Sequence, residues 1–168
     1  GLHEPEARPS ALEWEKALVR TWDLLQPCEN AHCSEKFFIL HDTKEPHCPF
    51  CGTRVPVRRV LHLERMRRVR GQAGQWLRSG TLNIYDGLPL FSWHFFEHVF
   101  PDEKAQDRAM QAYISRQNGA WYLVNNALDC LHTAEGESIP PGKALPLSRG
   151  TIFGTWEKES GVLWRSGQ

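Results

Sequence analysis

Apolar and polar positions repeat with two different periods along this chain, and the change of period divides it. Leu12, Ala17, Leu18, Trp22 and Leu25 recur at the three- and four-residue steps of a helix. Just before them, Ser10 and Glu13 stand at the spacing of a capping box, in which the serine oxygen accepts from the Glu13 amide and the carboxylate reaches back. This pattern predicts a helix over residues 11 to 25, ended by Pro27, with one apolar stripe laid against the segment that follows. Phe37, Phe38, Ile39 and Leu40 read as one short apolar strand. Beyond it, Val55, Val57, Leu61, Leu63 and Met66 come in near alternation with charged residues, the signature of a half-exposed strand.

After residue 70 the period stays short. The runs 81–85, 88–96, 109–115, 119–124, 143–147, 151–156 and 162–164 are strand-like and are separated by Asp-Gly, Asn-Gly, Pro-Pro-Gly, Ser-Arg-Gly and Ser-Gly turns. Many short strands with turn chemistry between them predict a mainly β chain, a β-sandwich preceded by a short helix. No internal repeat or low-complexity tract interrupts the pattern.

The cysteines add a second organising principle. Cys28 and Cys33 form one knuckle, Cys48 and Cys51 another, and 14 residues separate them. Two loops that each deliver a pair of sulfurs are what a tetrahedral zinc site requires, because zinc is held by thiolates and needs four of them when no other ligand is supplied. Pro49 stiffens the second knuckle, and Gly52 supplies a left-handed turn that lets amides face the sulfurs. The first knuckle is longer than the commonest spacing, so His32 competes with Cys33 as ligand, and His47 beside Cys48 raises the same question. A redox pair would need a strand and a helix around a single C-x-x-C, which this stretch lacks. Cys130 stands apart and reads as a small buried residue or a loop thiol. The chain thus divides into an N-terminal helical segment (1–27), a zinc ribbon (28–56) and a β-sandwich (57–168).

Charge and composition narrow the function. Twenty basic and twenty acidic residues give zero formal net charge, so no global field draws nucleic acid or an anionic membrane. The arginines at 54, 58, 59, 65, 67, 68 and 70 invite a nucleic-acid reading, but their interleaving with Leu61, Leu63 and Met66 puts them on the wet face of a strand. An odd cysteine count with four in metal spacing points to a reducing compartment, the cytoplasm. No signal sequence or run of about 18 apolar residues is present. Gly1 in place of Met suggests a chain cut from a longer protein.

Motifs of catalysis are missing. Residues 136–143 have five residues between their glycines, and Ala144 follows the lysine, whereas a phosphate loop needs four and then a hydroxyl. A four-sulfur zinc leaves no open position to activate water. His94 and His98 lie on one face if residues 88–96 extend as a strand, and packed imidazoles explain them better than general bases do. A non-catalytic module follows.

The second half resembles a forkhead-associated (FHA) domain, a β-sandwich that reads phosphothreonine. The resemblance is carried by Ala112-Tyr113-Ile114, by the run from Gly119 through Trp121 and Leu123 to Asn125, and by Leu147-Ser148-Arg149-Gly150-Thr151-Ile152-Phe153-Gly154. At the phosphate-binding positions the chain departs from the family: Arg108-Ala109-Met110-Gln111 and Leu128 with Cys130-Leu131 stand where polar contacts belong, and losing them removes the charge-assisted bonds a phosphate needs. A zinc ribbon joined to an atypical FHA-like region is similar to the C-terminal part of bacterial serine/threonine kinases of tellurite-resistance phosphorylation triads. That resemblance implies a docking module without nucleic-acid, membrane or small-molecule ligands. Its partner would be a von Willebrand factor A (VWA) domain protein, whose adhesion-site magnesium is completed by a partner carboxylate. Asp102, Glu103 and Asp107 on one loop and Asp129 and Glu135 on another are the candidate carboxylates. The alternatives are a phosphopeptide reader with a displaced site built on Arg108 or Arg116, and a nucleic-acid-binding zinc ribbon.

Overall fold

The computed structural model describes residues 8–40, 46–55, 61–69, 72, 75–97, 99, 109–156 and 161–167. Helix α1 (Ala11–Asp23) starts at the expected capping box: Ser10 Oγ accepts from the Glu13 amide at 3.3 Å, and Glu13 Oε2 accepts from the Ser10 amide at 2.7 Å. It ends before the expected residue 25, because the chain turns at Leu24 into strand β1 (Leu25–Pro27), which pairs antiparallel with β2 (Phe37–Ile39). Pairing with β2 satisfies the backbone groups that a longer helix would have satisfied internally.

Helix α1 lies the other way round from its sequence expectation. Leu12, Leu18 and Trp22 are exposed, as is Trp14, and no residue of the helix is fully buried. Glu15, Val19 and Asp23, one turn apart in succession, are the half-buried stripe. The rotation is fixed at the C-terminal end: the Leu40 amide donates to the Leu24 carbonyl at 2.9 Å, and Asp23 lies 3.4 Å from the buried His94. At that end the carboxylate of Asp23 faces inward, while Lys16 and Arg20 stay exposed.

Two antiparallel sheets form the sandwich. The first follows the order β4-β3-β11-β10-β8, from β3 (Leu61–Arg68), β4 (Trp76–Ile84), β8 (His132–Thr133), β10 (Ile152–Trp156) and β11 (Gly161–Gly167). The second follows β5-β6-β7-β9, from β5 (Pro89–Leu90), β6 (Ala112–Gln117), β7 (Ala120–Asn125) and β9 (Ala144–Leu147). Their inner faces supply one core that includes Leu63, Leu82, Ile84, Leu90, Ile114, Leu123, Phe153 and Trp164. Asn118 and Gly119 both take positive φ, 51° and 81°, in the two-residue turn that joins β6 to β7 with the twist a hairpin needs.

Two strand expectations change. Residues 88–96 do not extend as one strand: after β5 the chain makes a single helical turn, α2 (Ser92–Phe95), closed by the Phe91 amide donating to His94 Nδ1 at 2.9 Å. His94 therefore points into the interior on a turn, and His98 lies outside the described residues. In β3 the arginines are not all on the wet face. Arg65 pairs across from Trp164 and Arg67 from Val162, so by strand alternation both share the face of Leu61 and Leu63. Arg58, Arg59 and Arg70 lie outside the described residues.

Candidate metal centre

The ribbon positions its cysteines through backbone pairing. In the first knuckle the Cys28 amide donates to the Lys36 carbonyl at 2.8 Å and the Cys33 amide to the Asn30 carbonyl at 3.0 Å. In the second, the Cys48 amide donates to the Thr53 carbonyl and the Gly52 amide returns to the Cys48 carbonyl, both at 2.8 Å. That tight return requires the positive φ of Gly52, 72°. Phe38 and Leu40 are buried beneath the sulfurs with Cys48, and Cys28, Cys33 and Val55 pack around them.

The sulfurs converge. Cys28 Sγ is 3.6 Å from Cys51 Sγ, Cys33 Sγ is 3.8 Å from Cys48 Sγ, and all four lie within 4.8 Å of one another. A disulfide would need about 2.05 Å. Four sulfurs at about 2.3 Å from a tetrahedral zinc stand about 3.8 Å apart, the edge of the tetrahedron. The two close pairs have the edge length of such a tetrahedron, and the group could hold a metal ion. Among the described residues neither His32 nor His47 joins it. Cys130 is exposed in the loop after β7.

Proton affinity differs among these thiols. Thr53, through its hydroxyl 3.2 Å away and then its amide, holds Cys51 down at about 6. Burial pushes Cys33 up to about 12, against a backbone amide at Glu35, and the neighbouring thiols add to the rise. For Cys28 the amide at Asn30 is the largest influence and acts downward, yet burial and the sulfurs of Cys51 and Cys48 together outweigh it and raise the thiol. Packing four sulfurs this closely disfavours ionising them all, and a divalent cation removes that conflict by taking every thiolate as a ligand.

Among the described residues, a buried polar side chain helps join the ribbon to the sandwich. Asn83 of β4, buried, donates from Nδ2 to the Leu40 carbonyl at 2.8 Å and the Leu24 carbonyl at 3.4 Å. The rings of Phe37 and Tyr85 add a tilted contact, 5.9 Å between centroids. A second buried asparagine works inside the sandwich. Asn125 donates to the carbonyls of Leu128 at 2.6 Å and Ile139 at 2.5 Å and accepts from the Leu128 amide at 2.9 Å, so it fixes the loop that carries Asp129. The reading of periodicity passed over Asn83 and gave Asn125 no structural role; the available signal was a polar residue interrupting an apolar run, as in Leu82-Asn83-Ile84.

The predicted acidic residues are only partly in view. Asp129 and Glu135 are exposed on two loops, and Asp102, Glu103 and Asp107 lie outside the described residues, as does Arg108. Arg116 is engaged locally, its guanidinium 5.3 Å above the Trp121 ring. No helix among the described residues is long and apolar enough to cross a membrane. No protein-family model matches the chain, and neither a curated protein nor a solved structure is significantly similar to it. The chain is a mainly β protein with a four-cysteine candidate metal centre.

Proposed function

We propose that the chain is a non-catalytic protein-interaction module whose ribbon is held by one structural zinc ion on Cys28, Cys33, Cys48 and Cys51. The observation that carries this reading is the convergence of four sulfurs with close pairs at tetrahedral edge spacing. Zinc bound by four sulfurs has no open position, so the metal builds a surface and leaves chemistry to whatever that surface meets. On the resemblance to the kinase-associated FHA-like region, the partner is a VWA-domain protein, and one of Asp102, Glu103, Asp107, Asp129 and Glu135 completes its magnesium shell. Of these, Asp129 and Glu135 are among the described residues and are exposed on loops, as such a contact requires. The setting that follows is cytoplasmic signalling of the tellurite-resistance type.

Metal analysis of the purified protein should return about one zinc per chain. A pull-down on an immobilised VWA-domain protein, with and without magnesium, tests the partner. Capture that needs magnesium and is lost in Asp129→Ala or Glu135→Ala supports the docking mode. Capture insensitive to chelation removes the metal-completing carboxylate. Zinc at one equivalent without capture leaves the metal centre standing and rejects the partner.

A further inference from the structure

A cavity of about 550 Å³ opens between helix α1 and the end of the larger sheet, away from the cysteines and from the loops of Asp129 and Glu135. Its charged lining is Lys16 and Arg20 from α1, Arg65 and Arg67 from β3, and Asp23. Lys16, Arg20 and Asp23 share one face of the helix, the face turned toward the sheet while the tryptophans and leucines point outward. On that face Asp23 is half-buried, while Lys16 and Arg20 are solvent-exposed at the mouth of the cavity.

Arg65 forms the floor. A register shift at Arg65/Met66 leaves Ser79 out of the ladder with β3, its hydroxyl donating to the Arg65 carbonyl at 3.3 Å, and Arg65 pairs with Gly80, which has no side chain to fill the space above it. The guanidinium is half-buried and makes one hydrogen bond, from Nη2 to the Trp93 carbonyl at 3.3 Å, so among the described residues its other N–H groups meet no protein acceptor. Burial lowers its pKa against the pull of Asp23 and Glu97, the sign of a cation short of counter-charge. Among the described residues four cations face one lining carboxylate, and counting Glu97 makes it two.

We propose that this pocket binds a small organic phosphate, with the phosphate held by Arg20, Arg65 and Arg67 and the organic part against Trp93. Guanidinium forks match the oxygens of a phosphate in pairs, and a dianion offers enough oxygens for three of them. The half-buried indole of Trp93 supplies an apolar wall beside the floor arginine. The volume lies in the range that encloses small ligands. Zinc binding is not required for this site, so the proposal stands or falls apart from the metal centre.

Calorimetric titration of the full chain with adenosine monophosphate, inorganic phosphate, succinate and a phosphoserine peptide provides the test. Saturable binding of the nucleotide, tighter than inorganic phosphate and succinate, is expected. Arg20→Gln and Arg67→Gln, both exposed positions that the core does not use, should each weaken it about tenfold, while Arg149→Gln on a distant turn should leave it unchanged. Arg65→Met should abolish it; a circular dichroism spectrum matching wild type separates that loss from unfolding, and the two exposed variants decide the case if it unfolds. Absence of saturable binding, equal weakening by Arg149→Gln, or succinate binding as well as the nucleotide would each overturn the proposal. Tighter binding of the phosphoserine peptide would overturn it too and reassign the pocket to a protein partner.

Discussion

The ribbon and the sandwich solve the same problem with unequal means. The sandwich buries Leu63, Leu82, Ile84, Ile114, Leu123, Phe153 and Trp164 among others between two sheets, enough apolar surface to order its own chain. The ribbon has a two-stranded pairing of three residues a side and buries Phe38, Leu40 and Cys48. A hairpin of that size does not hold itself in water. What it lacks in apolar area it can gain from a metal whose binding energy is folding energy. Stability in one half is therefore spread over many side chains, and in the other, on the proposed zinc, it is concentrated in four sulfurs.

Removing a sulfur should therefore give the largest effect. Cys48→Ser deletes a proposed ligand that is itself buried in the ribbon, and strong chelation of the wild-type protein would withdraw the proposed metal from all four sulfurs at once. The loss is on the order of 10 kcal/mol of metal-linked folding energy. Hydrogen exchange should show residues 28–40 and 46–55 opening while the strands of the sandwich keep their protection. Uniform opening of both halves would mean that the two regions are one cooperative unit, and an unchanged ribbon after chelation would mean that no metal holds it.

The corresponding weak point of the sandwich is polar. Asn125→Leu preserves bulk but orphans the Leu128 amide and the Leu128 and Ile139 carbonyls in the interior, which should cost about 3 kcal/mol in chemical denaturation. Gly154→Ala tests packing in the same half. A Cβ there would collide with the Val162 carbonyl of the paired strand, and the backbone has to move, so a loss of about 3 kcal/mol is expected. Either variant should leave metal content unchanged, since neither touches the ribbon. Loss of zinc from Asn125→Leu would erase the distinction between the halves.

Asn83→Ala addresses the joint. It withdraws the donor to Leu40 and Leu24, leaves the Leu40 carbonyl without its side-chain partner, and should cost about 1 to 3 kcal/mol. The more informative readout is coupling: in wild type, chelation should lower the melting temperature of the sandwich slightly, and in Asn83→Ala that shift should disappear.

Legibility followed the strength of the local signal. The capping box of Ser10 and Glu13, the Asn118-Gly119 hairpin and the two cysteine knuckles each rest on residues adjacent in the chain, and each forms where the sequence pointed. The rotation of α1 did not, because Leu12, Leu18 and Trp22 announce a buried stripe while the helix is turned by Asp23 meeting His94, 71 residues away. The same distance dependence hid α2: its turn is closed by His94 accepting from Phe91 and by the Trp164 indole donating to the His94 carbonyl at 2.8 Å, contacts that no alternation of Leu88 to Phe96 reveals. Arg65 was misjudged because strand periodicity gives two faces but not how far a facing sheet extends over either of them. Beyond the edge of the smaller sheet the inner face of β3 meets α1 and a cavity, and an arginine can stand there.

The smallest effect belongs to charge on the outer face of the sandwich. Glu64 of β3 accepts from Arg165 of β11, with Nε at 2.8 Å, and lies 3.6 Å from Arg78 of β4, so one carboxylate ties three neighbouring strands. Its pKa is lowered, first by the Arg165 hydrogen bond and then, against some burial, by the charges of Arg165 and Arg78. A folded-state pKa below the unfolded one contributes stability that is complete above the ordinary carboxylate range and is lost as pH falls through the folded value. Both arginines are about half exposed, 48% and 58%, and water and salt screen the pair, so the contribution is about 0.5 kcal/mol. Urea denaturation of wild type and Glu64→Gln should show that small gap at pH 7, a narrowing gap as the carboxylate protonates in acid, and a smaller gap at pH 7 in high salt. A gap of several kcal/mol would show that this half, like the ribbon, depends on a single charged centre, and the contrast between spread and concentrated stability would fail.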